Sequence, residues 1–342
     1  MANSNNRILS LDVFRGLTIA LMILVNTPGS WKHVYAPFLH ADWHGCTPTD
    51  LVFPFFLFIV GTSIYFSNKK FKEGYSNEKL LKILKRTLFI FLIGLALNWF
   101  PFYDKHISDL RIMGVLQRIA LAYGFAAILL MFLKNKGIYI VGALLLFGYW
   151  ALLYFFGGND PYSLESNVVR TFDRFVLGDA HLWGGKGIPF DPEGLLSTIP
   201  SIVTVFIGYL SGKVFSESSD KQAFVRSMIS AGLVLLIVGF VWGFIFPINK
   251  SLWTSSYVLY VGGLAMITLG ALTWIIDIMQ WKSWTKPFLH FGRNPLFIYI
   301  LSGIYARILW KVQINDEAAY TSFWKNIFVP IFGEMFGSLA FA

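Results

Sequence analysis

Apolar residues in this sequence arrive in blocks, and the length of those blocks limits the fold more than any motif does. Nine of them, at 11–27, 50–67, 87–102, 113–133, 138–156, 195–214, 228–247, 255–276 and 295–311, approach or reach the span of a bilayer. A hydrocarbon core of about 30 Å takes roughly 20 helical residues. A tenth block begins near Ile327 and stops at Ala342. At about 1.5 Å per residue it falls short of a full crossing, either as a partial helix or because the chain continues. Apolar residues make up 56% of the chain and charged ones 14%, against roughly 25% charge in a soluble domain. The expected fold is all-α, a polytopic membrane helix bundle of about ten transmembrane helices. One domain is expected over residues 1–342, with an outward loop at 157–194.

A net charge of +9 would point to nucleic acid in a soluble chain. Here the positive-inside bias accounts for it, so the bilayer is the expected partner and nucleic acid is not. The segment NKKFKEGYSNEKLLKILKR (68–86) is dense in Lys and Arg. On the same side fall Arg7, Arg15, Lys134, Lys136, Lys213, Lys221, Arg226, Lys282 and Lys286. The opposite side is sparser, with Lys32, Lys105, Arg170, Arg174, Lys186, Lys250, Lys311 and Lys325. That asymmetry predicts a cytoplasmic N-terminus, with 28–49, 103–111 and 157–194 facing outward. No cleavable signal peptide is expected, since the first apolar block lacks an A-x-A site. One cysteine, Cys46, allows no intramolecular disulfide.

Within the first outward loop, FLHADWHGCTPTDLVFPFF (38–56) places polar chemistry directly before an apolar span. Thr47-Pro48-Thr49-Asp50 reads as a helix start, with Thr47 as N-cap and Pro48 at the first helical position. Asp50 there satisfies orphan amides and favours the positive end of the helix dipole. His40 is either an incidental member of an aromatic belt with Trp31, Tyr35 and Trp43, or a general base, since an imidazole titrates near pH 6.5. Asn26 closes the first block before Pro28 and Gly29. It is either a helix C-terminal cap or an amide donor to a developing oxyanion.

LSLDVFRGLTIALMILVN followed by FLHADWHGCTPTDLVFPFFLFIVGTSI resembles the lysosomal heparan-α-glucosaminide N-acetyltransferase family and its bacterial relatives. The resemblance continues through LRIMGVLQRIALAY (110–123), DRFVLGDAHLWG (173–184), FDPEGLLSTIPSI (190–202), NKSLWTSSYVL (249–259) and GRNPLFIYI (292–300), in the same order. It implies transfer of acetyl from cytosolic acetyl-CoA, across the membrane, to the amine of a glucosamine-type sugar or glycan. It also implies a multi-pass protein of the bacterial inner membrane, with His40 on the periplasmic side. The family's active-site histidine matches His40 and its active-site asparagine matches Asn26. His44 stands where the human member has asparagine and inherits no role.

For the donor, a helix N-terminus at Asn294-Pro295 beside Arg293 offers free amides and a cation to CoA phosphates. Arg15 is a second candidate, with an ion pair to Asp12 as its structural alternative. Gln117 and Arg118 are further donor-side candidates, because an intramembrane Arg usually faces a polar cavity or partner. For the acceptor, Trp43, Asp50, Asp179, His181, Trp183 and Asp191 offer carboxylates for a cationic nitrogen and aromatic faces for a ring. Acetyl-CoA enters as co-substrate, no metal is expected, and a second copy of the chain is a candidate partner. Direct transfer and an acetyl-histidine intermediate both remain open. So do an O-acyltransferase of an envelope glycan and a sugar secondary transporter.

Overall fold

A computed structural model describes residues 8–68, 75–104 and 106–342. Arg7, Lys69, Lys70, Lys72 and Lys105, used above for orientation, lie outside the described residues. Among the described residues the protein is all-α apart from one two-stranded ribbon. Seven of the described helical stretches have the length and hydropathy to cross a membrane: Leu9–Asn26, Pro48–Ser67, Val115–Phe132, Asn135–Phe156, Thr198–Glu217, Lys221–Trp242 and Ser255–Ile278. The chain groups into two compact units.

The first unit takes residues 1–41, 46–53 and 280–342. Its helices are α1 (Leu9–Asn26), α10 (Lys286–Arg293), α11 (Pro295–Lys311), α12 (Ala319–Phe323) and α13 (Val329–Phe341). Helices α1 and α10 cross in backbone contact. A Cβ at Gly16 would lie 1.7 Å from the Phe288 carbonyl oxygen, and one at Gly292 would lie 2.4 Å from that of Asp12. Small residues at such a crossing replace hydrophobic drive, which lipid does not supply, with close van der Waals packing. Between α11 and α12 runs a hairpin, β1 (Gln313–Ile314) against β2 (Glu317–Ala318). Its two turn residues, Asn315 and Asp316, both have positive φ, the conformation of a tight hairpin turn.

The tenth apolar block is not a span. Helix α13 breaks at Gly333, where φ is 74° and ψ 176°. Phe328 and Phe341 are thirteen residues apart, which is ~20 Å along a straight helix, yet their rings lie 5.3 Å apart. The chain therefore reverses at Gly333 and lays its last turns back along the preceding ones.

The second unit takes residues 42–45 and 54–279. It holds most of α2 (Val52–Asn68) and all of α3 (Asn77–Trp99), α4 (Val115–Phe132), α5 (Asn135–Phe156), α6 (Val168–Leu177), α7 (Thr198–Glu217), α8 (Lys221–Trp242) and α9 (Ser255–Thr273). Helix α3 begins ten residues before the apolar block at 87–102. Ser76 caps it by accepting from the Lys79 amide at 3.1 Å, and Lys82 bonds Glu78 at 2.7 Å, so the basic stretch is helical too. Helix α7 begins at Thr198 rather than at 195, because Asp191 and Pro192 open a turn first. Helices α4, α7 and α9 are mostly buried in this unit, whereas α5 and α8 expose most of their length, as lipid-facing helices do.

Candidate functional site

The turn that opens α2 does what its sequence predicts, and more. Pro48 leads a short 3₁₀ turn, Pro48–Leu51, and Asp50 sits at its third position. Asp50 Oδ2 accepts from the Thr47 amide at 3.0 Å, the reciprocal half of a capping box. The same oxygen accepts from the Ala41 amide at 3.0 Å. The Thr47 hydroxyl, with one proton to give, lies 3.0 Å from Asp50 Oδ2 and 2.7 Å from the Leu39 carbonyl. The remaining oxygen, Oδ1, receives His40 Nδ1 at 2.7 Å. The Asp50 side chain is 2% exposed and the His40 ring 45%. A buried carboxylate on Nδ1 places that nitrogen's proton between them and leaves Nε2 as the acceptor nitrogen of the neutral ring.

Asp50, an acceptor-side candidate on sequence grounds, is buried and accepts from His40 and from two backbone amides. Thr49 Oγ1 donates to the Pro37 carbonyl at 3.1 Å, a second tie between the helix start and the loop before His40. Asn26 is the last residue of α1 and is exposed.

In the second unit, Trp43 Nε1 donates to the Tyr162 carbonyl at 2.8 Å and the ring packs edge-on against Phe190. His44 Nδ1 lies 3.3 Å from the Asn249 side-chain amide, and burial pushes the imidazole below its ordinary pKa against the opposing pull of Asp160. Arg111 forks onto Asp191 with two bonds, at 2.8 and 2.7 Å, and reaches Glu193 at 2.6 Å. Burial works against that guanidinium, but the two carboxylates outweigh it and hold its pKa above the ordinary value. The Asp191 side chain is fully buried. Its two oxygens accept from Arg111 and from the Glu193 amide. Trp183 lies beside it, with the Arg111 guanidinium 5.9 Å from its ring. His181 Nδ1 is 2.7 Å from the Leu110 carbonyl. Asp179 is exposed and takes a two-pronged bond from Arg174 at 2.6 and 2.7 Å.

Two residues that sequence reasoning passed over organise this end of the unit. Arg111 carried no local signal, since its carboxylates lie about eighty residues on. Asp173, on α6, caps the entry to α7 from outside: its Oδ1 accepts from the Leu195 and Leu196 amides at 3.1 and 3.0 Å. Burial raises the Asp173 pKa to about 7, against the two amides and Arg118.

Of the donor-side candidates, Arg118 is fully buried. It donates to the Gly194 carbonyl at 3.0 Å and to Ser197 Oγ, and its guanidinium lies 5.0 Å from the Trp253 ring centre. Gln117 is also buried and donates to the Ile112 carbonyl at 2.9 Å. Both are packed inside the second unit rather than presented to a nucleotide. Arg15 pairs with Asp12 at 3.1 Å. Arg293 and Asn294 are exposed at the break between α10 and α11, where Pro295 is the first helical residue and Asn294 makes no side-chain capping bond. The crossing of α1 with α10 sets Arg15 and Arg293 on two helices in contact. Among the described residues no group of three His, Cys, Asp or Glu is placed to hold a metal ion.

Comparison with known proteins adds to this geometry. Residues 7–240 match the family described as heparan-alpha-glucosaminide N-acetyltransferase, catalytic. The chain is 32% identical to a mouse heparan-alpha-glucosaminide N-acetyltransferase (Mus musculus) over 388 aligned residues, covering 93% of this chain and 57% of that protein. It is 31% identical to the human protein of the same name (Homo sapiens) over 382 residues, covering 91% and 55%. The chain thus spans a little over half the length of the curated relatives it matches.

Proposed function

The chain belongs to the heparan-alpha-glucosaminide N-acetyltransferase catalytic family, and from that premise we propose a transmembrane acetyl transfer. The donor is acetyl-CoA and the acceptor the amine of a glucosamine-type sugar. The amine nitrogen attacks the thioester carbonyl, and Asn26 donates its amide to the oxyanion that forms. His40 Nε2 takes the proton that nitrogen sheds. The tetrahedral intermediate then collapses, the carbon–sulfur bond breaks, and His40 returns the proton to the departing thiolate, leaving the N-acetyl sugar and CoA thiol.

Asp50 never leaves the imidazole. It fixes the ring's orientation and tautomer and stabilises the imidazolium during transfer, the role of the carboxylate in hydrolase triads. The observation that carries this reading is the 2.7 Å bond from His40 Nδ1 to a carboxylate that is itself buried and anchored. An incidental belt histidine needs no such partner.

On the donor side, Arg15 and Arg293 supply cations for CoA phosphates, with the free amides at the start of α11 between Asn294 and the helix. Within the second unit, Trp43, His181 and Trp183, each partly exposed, are the aromatic candidates for contact with a sugar ring. The His40 end faces away from the cytoplasm in this scheme, so that donor and acceptor enter from different compartments.

The test is acetyl transfer by purified protein, with labelled acetyl-CoA and glucosamine as substrates and glucose as the hydroxyl-only control. The native protein transfers label to glucosamine, and His40→Ala loses about 10²–10⁴-fold, the usual weight of a general base. Unchanged turnover in His40→Ala overturns the reading.

A further inference from the structure

The loop from Asn26 to His40 is held at its two ends by different parts of the chain. Its His40 end is tied to the opening turn of α2, through Thr49 to Pro37 and Thr47 to Leu39. Its Asn26 end is held by the C-terminal helical hairpin, some three hundred residues away. The Tyr320 hydroxyl donates to the Pro28 carbonyl at 2.9 Å. The Gly29 amide donates to the Ser338 carbonyl at 3.0 Å. The Ser30 amide donates to Ser338 Oγ at 3.0 Å, and that hydroxyl donates back to the Ser30 carbonyl at 3.1 Å. Three successive residues, starting two positions after Asn26, are thus bonded to two side chains and one carbonyl of the hairpin.

Packing closes the same junction. The Trp324 indole lies where a side chain at Gly29 would stand, since a Cβ there would meet its ring at 2.4 Å. The opposite contact of Trp324 is a stack on His33 at 5.5 Å, and His33 Nε2 reaches Glu334 at 3.0 Å. Tyr320 and Ser338 are both buried, at 3% and 1%. Only the reversal at Gly333 brings Glu334 and Ser338 back to this level. Buried hydrogen bonds of this kind are costly to lose on one side, because the remaining partner stays desolvated.

We propose that the hairpin of α12 and α13 positions Asn26, with Tyr320 and Ser338 as positioning residues that act through the backbone of residues 28–30. The proposal rests on the assignment of Asn26 as the oxyanion donor. Residue 26 is exposed at a helix end, so nothing in α1 beyond its last turn fixes where its amide points. The clasp immediately after it does. His40 has its own anchor in Asp50 and does not depend on the hairpin.

That division gives a test which a general loss of stability does not imitate. Tyr320→Phe and Ser338→Ala each remove hydroxyl bonds without changing volume much. Each is expected to lower kcat for acetyl transfer about 5–20-fold, with KM for acetyl-CoA and the pH profile of kcat/KM unchanged. In an Asn26→Ala background the same substitutions lower kcat by less than twofold, because residues that act as a unit are not additive. In a His40→Ala background their effect is undiminished. Equal fold-losses in the native and Asn26→Ala backgrounds overturn the proposal, as does native kcat in both single variants.

A second readout keeps the proposal separate from the activity. With Cys46→Ser and Asn26→Cys combined, maleimide labelling of residue 26 speeds up about fivefold or more on adding Ser338→Ala or Tyr320→Phe. An unchanged labelling rate overturns the clasp even if the native protein transfers no acetyl, and absence of transfer with altered labelling overturns the function alone.

Discussion

Two buried carboxylates, Asp50 and Asp191, each hold a more exposed basic partner, and they do different things with it. Asp50 binds an imidazole by one bond, to one of the ring's two nitrogens, and that ring is about half-exposed. Asp191 binds a guanidinium by two, and Glu193 takes up the same fork. A guanidinium stays charged at any pH a protein meets and can neither take nor give a proton. The imidazole can do both. Burial of an acid therefore says little about its purpose until its partner is named. The Arg111 cluster ties residues eighty apart with a charge that does not titrate; the His40 pair holds a group that can exchange a proton, which is what the proposed function asks of it.

The largest effect expected from breaking this comparison is on folding, at Asp191. Breaking a buried pair costs about 3–5 kcal/mol; Glu193 still faces the part-exposed Arg111 here, so the loss falls toward the lower end of that range. Asp191→Ala is therefore expected to lower the thermal midpoint in detergent by many degrees, measured by tryptophan fluorescence. The contrasting variant is Asp50→Asn, which keeps the volume and the capping geometry while it frees the imidazole tautomer. It is expected to lower acetyl transfer about 10²–10³-fold, a loss of about 3–4 kcal/mol in transition-state stabilisation, with a thermal midpoint close to native. A large midpoint shift with normal turnover would reverse the two assignments.

A third carboxylate sharpens the contrast through pH. Asp173 has a pKa of about 7 in the folded protein, against about 3.9 in an unfolded chain. Between those values the folded state holds a proton that the unfolded state has lost. Its contribution to stability is complete below about pH 4 and is lost as the pH rises through about 7, by at most roughly 1.4 kcal/mol per unit. The thermal midpoint should fall from pH 5 to pH 8 in the native protein and flatten in Asp173→Asn. Equal slopes in the two proteins would show that Asp173 does not carry the dependence. The smallest effect belongs to the exposed pair Arg174–Asp179, where water already screens the charges. Arg174→Ala should leave the midpoint unchanged within error.

How much of this was readable in advance follows the range of each interaction. Apolar block length gave the helical class, and Thr47-Pro48-Thr49-Asp50 gave a helix start to the residue, because capping acts over three positions. His40 and Asp50 stood in one short segment, but their bond needs the loop to turn back on the helix start, which spacing alone does not encode. The Arg111–Asp191 pair joins residues eighty apart, and nothing near either one marks the other. The tenth block was legible as a helix too short to cross, but not as a hairpin. Gly333 sits in an apolar run and reads as an ordinary membrane glycine, and only its backbone angle turns a short span into a hairpin. The start of α3 was missed because a charged helix has no hydropathy signal, although Ser76 and Glu78 stood at its entrance.

The crossing of α1 and α10 has a consequence for sequence variation. One methyl group at position 16 would collide with a main-chain oxygen 1.7 Å away, so the neighbouring helix would have to withdraw by more than an ångström. Arg15 and Arg293, which sit on those two helices, would move with it although neither had been altered. In the donor-side arrangement proposed above, affinity for a polyanion would therefore respond to changes at two hydrogen-only side chains.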